Sequence, residues 1–187
     1  MRYLIFLTLI GISLFAVTCK PLDKLVSFNL ETADTVTWLQ VADTVLTDTL
    51  PNEARTMVSE TFRFSDYGKF ATNKSSPTTV EGADGYNMIL TIDSGASNFA
   101  FAKDLAIFLS SPGNLYEEIQ LLDIPDPSQI DGTINMDMIP MPDDGWVNVI
   151  NKDEYRFRTD FTLVSPMPDT VKLRFKMNFR LKALPND

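Results

Sequence analysis

Two carboxylate pairs are the residues of this chain whose type and spacing come closest to a catalytic site. Glu117–Glu118 and Asp143–Asp144 are each adjacent in sequence, and glycoside hydrolysis uses two carboxylates. Adjacent residues on a strand point to opposite faces of a sheet, however, and adjacent acids on a turn are normally solvated. We therefore expect neither pair to be catalytic.

The lack of histidine narrows the possible chemistry further. The 187 residues include no His and one Cys, which removes Ser-His-Asp and Cys-His arrangements and most zinc or copper sites. Several Asp residues lie among prolines between 123 and 144. Without a D-x-D-x-D-G loop, they are typical of turn-capping residues rather than calcium ligands. We expect no enzyme, no bound metal and no cofactor.

Two tryptophans offer another kind of chemistry, which is stacking on sugar rings. Trp146 is followed by Val149 and Ile150 at helical spacing, and Trp38 alternates with Val36. Both patterns are more typical of a buried core position. A glycan-binding platform at Trp38 or Trp146 remains the alternative.

Residues 152–182 are basic within an acidic chain. They carry eight Lys and Arg against four acids, whereas the whole chain has 16 Lys and Arg, 25 acids and a formal net charge of −9. Such an overall charge disfavours nucleic acid as a partner. Six cations are candidates for a face that binds an acidic protein or lipid phosphate: Arg156, Arg158, Lys172, Arg174, Lys176 and Arg180. The alternative is a solvated face whose neighbouring strands supply the compensating acids.

Two alternating segments are expected to position these cations. Val171–Leu181 places apolar residues at every second position, and Tyr155–Leu163 does so apart from Thr159, so one face of each strand is expected to be buried. The turn at Ser165–Asp169 contains two prolines, which end the ladder of hydrogen bonds. An antiparallel hairpin of these two strands would bring Arg158 near Lys176.

The rest of the chain has the pattern of short strands separated by turns. Expected strands are Leu25–Leu30, Val36–Val41, Met57–Phe64, Tyr86–Ile92, Leu105–Leu109, Ile119–Ile124 and Thr133–Met138. One short helix, capped by an Asp, is expected near 146–151, and Gly68–Asp84 has the composition of an exposed loop. Seven to nine strands with frequent turns predict an all-β antiparallel sandwich.

The N-terminus predicts export and lipidation. Arg2 precedes the apolar run Tyr3–Val17, which as a helix spans roughly 22 Å and is shorter than the ~30 Å hydrocarbon core. This pattern is typical of a signal peptide, and the sole cysteine, Cys19, stands where lipoprotein acylation needs it. We expect a lipoprotein signal peptide at 1–18, the lipidated Cys and its tether at 19–24, and one domain at 25–187. Ordinary secretion with cleavage after Thr18 is the alternative.

The order of these features resembles a set of Bacteroidota outer-membrane lipoproteins. Beyond the cysteine anchor, the matching segments are Ser27–Leu30, Leu105–Gly113, Leu122–Pro125, Trp146–Arg158 and Val171–Lys182. The resemblance implies an immunoglobulin-like sandwich and no catalytic residue.

These features predict a non-enzymatic lipoprotein that carries acyl chains such as palmitate at Cys19. Lys20 follows the cysteine, so the Asp that can retain lipoproteins at an inner membrane is absent. We expect an accessory or interaction subunit at the outer membrane, on either leaflet, whose partners are the membrane and an outer-membrane protein. The alternative is a surface glycan-binding lipoprotein.

Overall fold

Two antiparallel five-stranded sheets face each other in the computed structural model, which describes residues 24–39, 53–112, 118–141, 144–165 and 170–186. The strands are β1 (Val26–Glu31), β2 (Asp34–Leu39), β3 (Glu53–Val58), β4 (Phe62–Arg63), β5 (Val80–Ser94), β6 (Ala102–Ser110), β7 (Ile119–Ile124), β8 (Thr133–Asp137), β9 (Glu154–Leu163) and β10 (Thr170–Ala183). The predicted all-β antiparallel sandwich is confirmed.

Among the residues described, two short α-helices, α1 (Lys69–Thr72) and α2 (Gly145–Asn151), and three 3-10 turns connect the strands. The predicted helix near 146–151 is confirmed as α2, although its N-cap residue Asp144 makes no side-chain capping bond. In the part of the chain that the structure describes, no helix has both the length and the apolar character needed to cross a membrane.

The strand order is that of a jelly roll. Sheet 1 has the order β1-β10-β5-β8, with β2 also paired to β10, and sheet 2 has the order β3-β9-β6-β7, with β4 also paired to β9. The β1–β2, β3–β4 and β6–β7 connections stay within one sheet, and the other six connections lead from one sheet to the other. The first and last strands, β1 and β10, pair directly. In the expected immunoglobulin-like order, by contrast, strands ABED form one sheet and strands CFG form the other.

The edge of sheet 1 beside β10 is formed by two short strands instead of one long strand. β1 and β2 lie along the same edge of β10, on its C-terminal and N-terminal halves respectively. Thr32, in the gap between them, donates its backbone N–H to Met177 O at 2.9 Å and accepts from Met177 N at 3.2 Å through its hydroxyl. The strand therefore bends without leaving the buried backbone of β10 unpaired.

Aromatic side chains from both sheets fill the space between them. Phe157 of β9 and Phe175 of β10 stack with ring centroids 4.4 Å apart and an interplanar angle of 18°. Their exposed fractions are 1% and 0%. Because the inner face of each strand is apolar and alternates with a polar outer face, burial of these rings sets which face of each sheet points inward.

The expected hairpin of the last two strands is wrong. β9 pairs with β3, β4 and β6 in sheet 2, whereas β10 pairs with β1, β2 and β5 in sheet 1. Arg158 therefore does not approach Lys176. Alternation determines which face of a strand is buried but leaves its neighbour open, and here the two apolar faces meet across the sandwich instead of side by side.

The expected loop at Gly68–Asp84 is also wrong, because the segment contains α1, a 3-10 turn at Pro77–Thr79 and the start of β5. Phe70 is buried and packs edge-on against Phe28 at 5.6 Å. A capping box between Ser76 and Thr79 begins the 3-10 turn. Polar residues here form local hydrogen bonds, and one buried ring holds the segment on the domain.

Candidate functional site

Of the cysteine and the two tryptophans singled out in the sequence, Trp146 alone has a side chain among those that the structure describes. Cys19 is outside the described residues. Trp38 pairs with Val171 through its backbone, and its side chain is likewise outside the described part. Trp146 is 3% exposed and packs edge-on against Phe179 at 5.0 Å. Its burial contradicts a role for Trp146 as a sugar-stacking platform.

The six candidate cations do not form one face. Arg156 and Arg158 project from the outer face of sheet 2, since their neighbours on β9 are buried. Lys172, Arg174, Lys176 and Arg180 alternate with buried residues on β10 and therefore project from the outer face of sheet 1. The sandwich separates the two sets, so the expected single docking face is wrong.

Arg158 is engaged within its own sheet. It forms an ion pair with Glu118 at 2.7 Å and another with Asp160, and its guanidinium lies 4.0 Å from the centre of the Phe108 ring. Its Nε also donates to both oxygens of Glu118, at 3.0 and 2.9 Å. These hydrogen bonds hold the pKa of Arg158 above its ordinary value. Arg158 thus stabilises sheet 2 instead of facing a partner.

Arg158→Ala should lower the free energy of unfolding by about 1–2 kcal/mol, because two carboxylates lose a shared, half-buried donor. The matched control is Arg63→Ala, which removes the more exposed Arg63–Glu154 pair of the same sheet and should cost less than about 0.5 kcal/mol. Chemical denaturation of both variants measures the difference. Equal losses would contradict a structural role for the Arg158 cluster.

Acids from flanking strands form ion pairs with three of the cations of β10. Arg174 pairs with Asp93 at 3.0 Å, Lys176 with Glu31 at 2.8 Å, and Arg180 with Asp84 at 3.4 Å. The outer face of sheet 1 therefore carries both signs of charge. This arrangement fits the alternative given above, a solvated face on which acids of the neighbouring strands balance the cations.

A groove of about 1120 Å³ lies at one end of that face. We call it the sheet 1 groove. Its floor is formed by β1, β5 and β10, and a wall is formed by the segment that follows β8, at Met138, Pro140 and Met141. The polar and aromatic residues that line it are Ser27, Phe28, Asn29, Glu81, Asp84, Tyr86, Asp137, Trp146, Arg180 and Lys182. Of the candidate residues from the sequence, Arg180 and the buried Trp146 are both part of its lining.

Strand register arranges part of this lining into rows. Asn29 and Asp84 both pair with Arg180, from opposite sides, so an amide, a guanidinium and a carboxylate cross the groove on adjacent strands. Strands are about 4.8 Å apart. In the next row, Ser27 and Gly82 flank Lys182 in the same way, and the glycine leaves that row open on one side.

Tyr86 enters the groove because of a β-bulge. The pairing of β5 with β10 shifts between Asn87 and Gly85, which oppose Asn178 and Phe179, so Tyr86 is the extra residue. The Arg180 guanidinium lies 4.5 Å from the centre of the Tyr86 ring. Plain alternation from the buried Met88 would place Tyr86 on the inner face of the sheet, and the bulge reverses that orientation.

The residue next to the bulge must be a glycine because the Trp146 ring lies against its backbone. A Cβ on Gly85 would lie 2.6 Å from the Trp146 ring and 2.9 Å from Met138 Cε. The missing side chain lets the ring of Trp146 pack directly beneath the backbone of β5. The buried tryptophan thus supports the groove from below.

A buried polar cluster lies on the inner side of the sandwich. Asp34 is 6% exposed and accepts hydrogen bonds from the hydroxyls of Tyr67 and Tyr155, the latter at 2.5 Å. The two hydroxyls are 2.6 Å apart. Burial raises the pKa of Asp34 and of both tyrosines. We assign this cluster a structural role because Asp34 and Tyr155 are enclosed by the protein.

Within the described residues, no group of three or more His, Cys, Asp or Glu side chains is placed to hold a metal ion. No protein-family model matches the sequence, and no curated protein matches it significantly.

Solved structures of three viral proteins are similar to the chain. The decameric BFDV capsid protein has 13% identity and a TM-score of 0.41, covering 85% of this chain and 98% of its own. Desmodium yellow mottle tymovirus has 8% identity and a TM-score of 0.30, with coverages of 87% and 91%. Turnip yellow mosaic virus has 11% identity and a TM-score of 0.25, with coverages of 87% and 98%. These scores are too low to carry an argument, so the jelly-roll order stands on the strand register alone.

Proposed function

We propose that the chain is a non-enzymatic lipoprotein, acylated at Cys19, that acts as an accessory binding subunit at the outer membrane. The observation that supports the binding role is the sheet 1 groove, where hydrogen-bond donors, acceptors and aromatic rings lie together on one sheet. An acyl anchor would confine this groove to a membrane surface, where even a weak contact gains a high effective concentration.

The sheet 1 groove replaces the six-cation face as the proposed binding site. Arg158 is held by two acids of its own sheet, and the paired cations of β10 present a compensated surface. A strongly acidic protein would find no uniformly positive patch there. The groove instead favours the second version of the function, a glycan-binding lipoprotein, with the polar row around Arg180 in place of the tryptophans.

Anchoring is tested by metabolic labelling. Wild-type protein should incorporate labelled palmitate and remain in the membrane fraction after a high-salt wash, because acyl chains hold it independently of charge. Cys19→Ala should incorporate none, since it removes the only thiol. Thr18→Ala is the matched control, because it keeps the thiol and a small residue beside it, and it should label like wild type.

Mass spectrometry of the purified protein gives a second readout. The expected N-terminal peptide begins at Cys19 and carries the mass of its acyl chains. An unmodified thiol, or label that persists in Cys19→Ala, would refute acylation at this position.

A further inference from the structure

We infer that the sheet 1 groove binds a neutral oligosaccharide, with Arg180, Asp84 and Asn29 as its hydrogen-bonding row and the Tyr86 ring as the support that orients Arg180. This inference names the ligand class of the site on which the proposed function rests. It depends on groups that the sequence did not single out as a site, apart from Arg180.

The charges of the groove exclude strongly ionic ligands. Arg180 and Lys182 supply positive charge, whereas Glu81, Asp84 and Asp137 supply negative charge on the same lining. An anionic polymer would meet three carboxylates, and a polycation would meet two cations. Like charges in one interface cost several kcal/mol, so the best match is a ligand without net charge.

The hydrogen-bonding groups of the row match hydroxyls. A guanidinium only donates, a carboxylate only accepts, and the amide of Asn29 does both. Because Asn29 and Asp84 stand on either side of Arg180, a ligand must donate and accept at short intervals to satisfy all three. A sugar ring with neighbouring hydroxyls has this property, since each hydroxyl both donates and accepts.

The Tyr86 ring orients the hydrogen-bonding row. Arg180 is stacked over the ring and is paired with Asp84, so the guanidinium is oriented before a ligand arrives. Side chains of Arg180 and Asp84 are 66% and 62% exposed, which leaves their remaining donors and acceptors open to solvent. Pre-oriented groups lose less entropy on binding.

The position of the groove relative to Cys19 favours a ligand at the membrane surface. Ser27 lies on the rim of the groove, eight residues after Cys19. Even a fully extended segment of that length spans at most about 28 Å. An acylated chain would therefore keep the groove within this distance of its lipid attachment.

A glycan array tests the inference with the mature protein purified in detergent. The array carries neutral oligosaccharides together with sialylated and sulfated ones. We expect binding to neutral glycans, and about tenfold weaker apparent affinity for Tyr86→Ala and for Arg180→Ala. Arg174→Ala is the matched control, because it removes a paired cation of the same strand and face outside the groove, and it should bind like wild type.

Tyr86→Ala could disturb the bulge, so Asn29→Ala serves as a second variant. Asn29 is exposed, and its truncation should leave the fold intact. Thermal melts report whether each variant is folded. Absence of neutral-glycan binding, binding only to charged glycans, or binding unchanged in Arg180→Ala and Asn29→Ala would each overturn the inference. A protein that cross-links specifically through position 29, with no glycan bound, would assign the groove to a protein and also overturn it. Palmitate labelling is independent of these results, so failure of the ligand class is distinguishable from failure of the anchor.

Discussion

Phe157→Ala is expected to destabilise the domain by about 3–5 kcal/mol, the largest effect of any single substitution proposed for this chain. The ring is 1% exposed and contacts aromatic rings of both sheets, among them Phe175 at 4.4 Å and Tyr155 at 5.8 Å. Truncation leaves a cavity between two rigid sheets, which cannot collapse to fill it. A loss of this size is a large part of the stability of a typical domain.

Urea or guanidinium unfolding measures this loss. Val58→Ala is the control, because Val58 lies on the neighbouring strand β3 but is 53% exposed, and it should change stability by less than about 0.5 kcal/mol. Should Phe157→Ala fail to fold, Phe157→Leu, which keeps most of the apolar volume, should cost less than about 1.5 kcal/mol. A loss below about 1 kcal/mol for Phe157→Ala would contradict the packing between the sheets.

Asp34→Ala is expected to lower the free energy of unfolding by about 2–4 kcal/mol, because two tyrosine hydroxyls lose their shared acceptor in the interior. Asp93→Ala removes a more exposed carboxylate from an ion pair with Arg174 and should cost less than about 0.5 kcal/mol. Equal stability of the two variants in denaturant titrations would contradict the importance of the buried cluster.

The pH dependence of the same cluster has a definite sign. Burial raises the pKa of Asp34 above its ordinary value of 3.8, and the negative charges of Asp66 and Glu60 act in the same direction, against the lowering effect of the tyrosine hydrogen bonds. The folded protein therefore holds this proton more tightly than the unfolded chain. The resulting stability is complete below the unfolded pKa and is lost as pH rises through the folded one.

Asp34→Asn isolates this effect because it keeps the size of the side chain and removes the titration. The stability of wild type relative to Asp34→Asn should fall as the pH rises from the unfolded pKa toward neutrality. Parallel stability curves for the two proteins across that range would show that Asp34 titrates alike in the folded and unfolded states.

The positions of strands could be predicted from the sequence where one face of the strand is mostly apolar. The alternation in Val171–Leu181 and Tyr155–Leu163 predicted β10 and β9 closely, and Ile119–Ile124 matched β7 in full. The pairing of β9 and β10 with their neighbours could not be predicted in the same way. The apolar period of a strand is the same whether the next strand in the sequence lies beside it in a hairpin or opposite it across the sandwich.

The candidate site was harder to predict because its geometry depends on distant residues. Tyr86 reaches the groove through a bulge that only the register of β5 against β10 reveals. Asp34 meets Tyr155 from 121 positions away, and nothing local in its Thr-rich strand marks it as buried. Gly68–Asp84 lacked the apolar period of an element, and the single ring of Phe70 was too weak a signal to indicate that it folds.

The pairing of the first strand with the last has a mechanical consequence. β1 and β10 form six residue pairs, from Val26 with Ala183 to Glu31 with Asn178. Consider a force that pulls on Val26 along the axis of β1 while a bound ligand holds β10 in place. This force loads the hydrogen bonds between the two strands in shear, so that all of them must break together. The same force applied between Val26 and Ala183 would peel the strands apart one bond at a time. Such a domain resists tension between surface and ligand better than tension between its own ends.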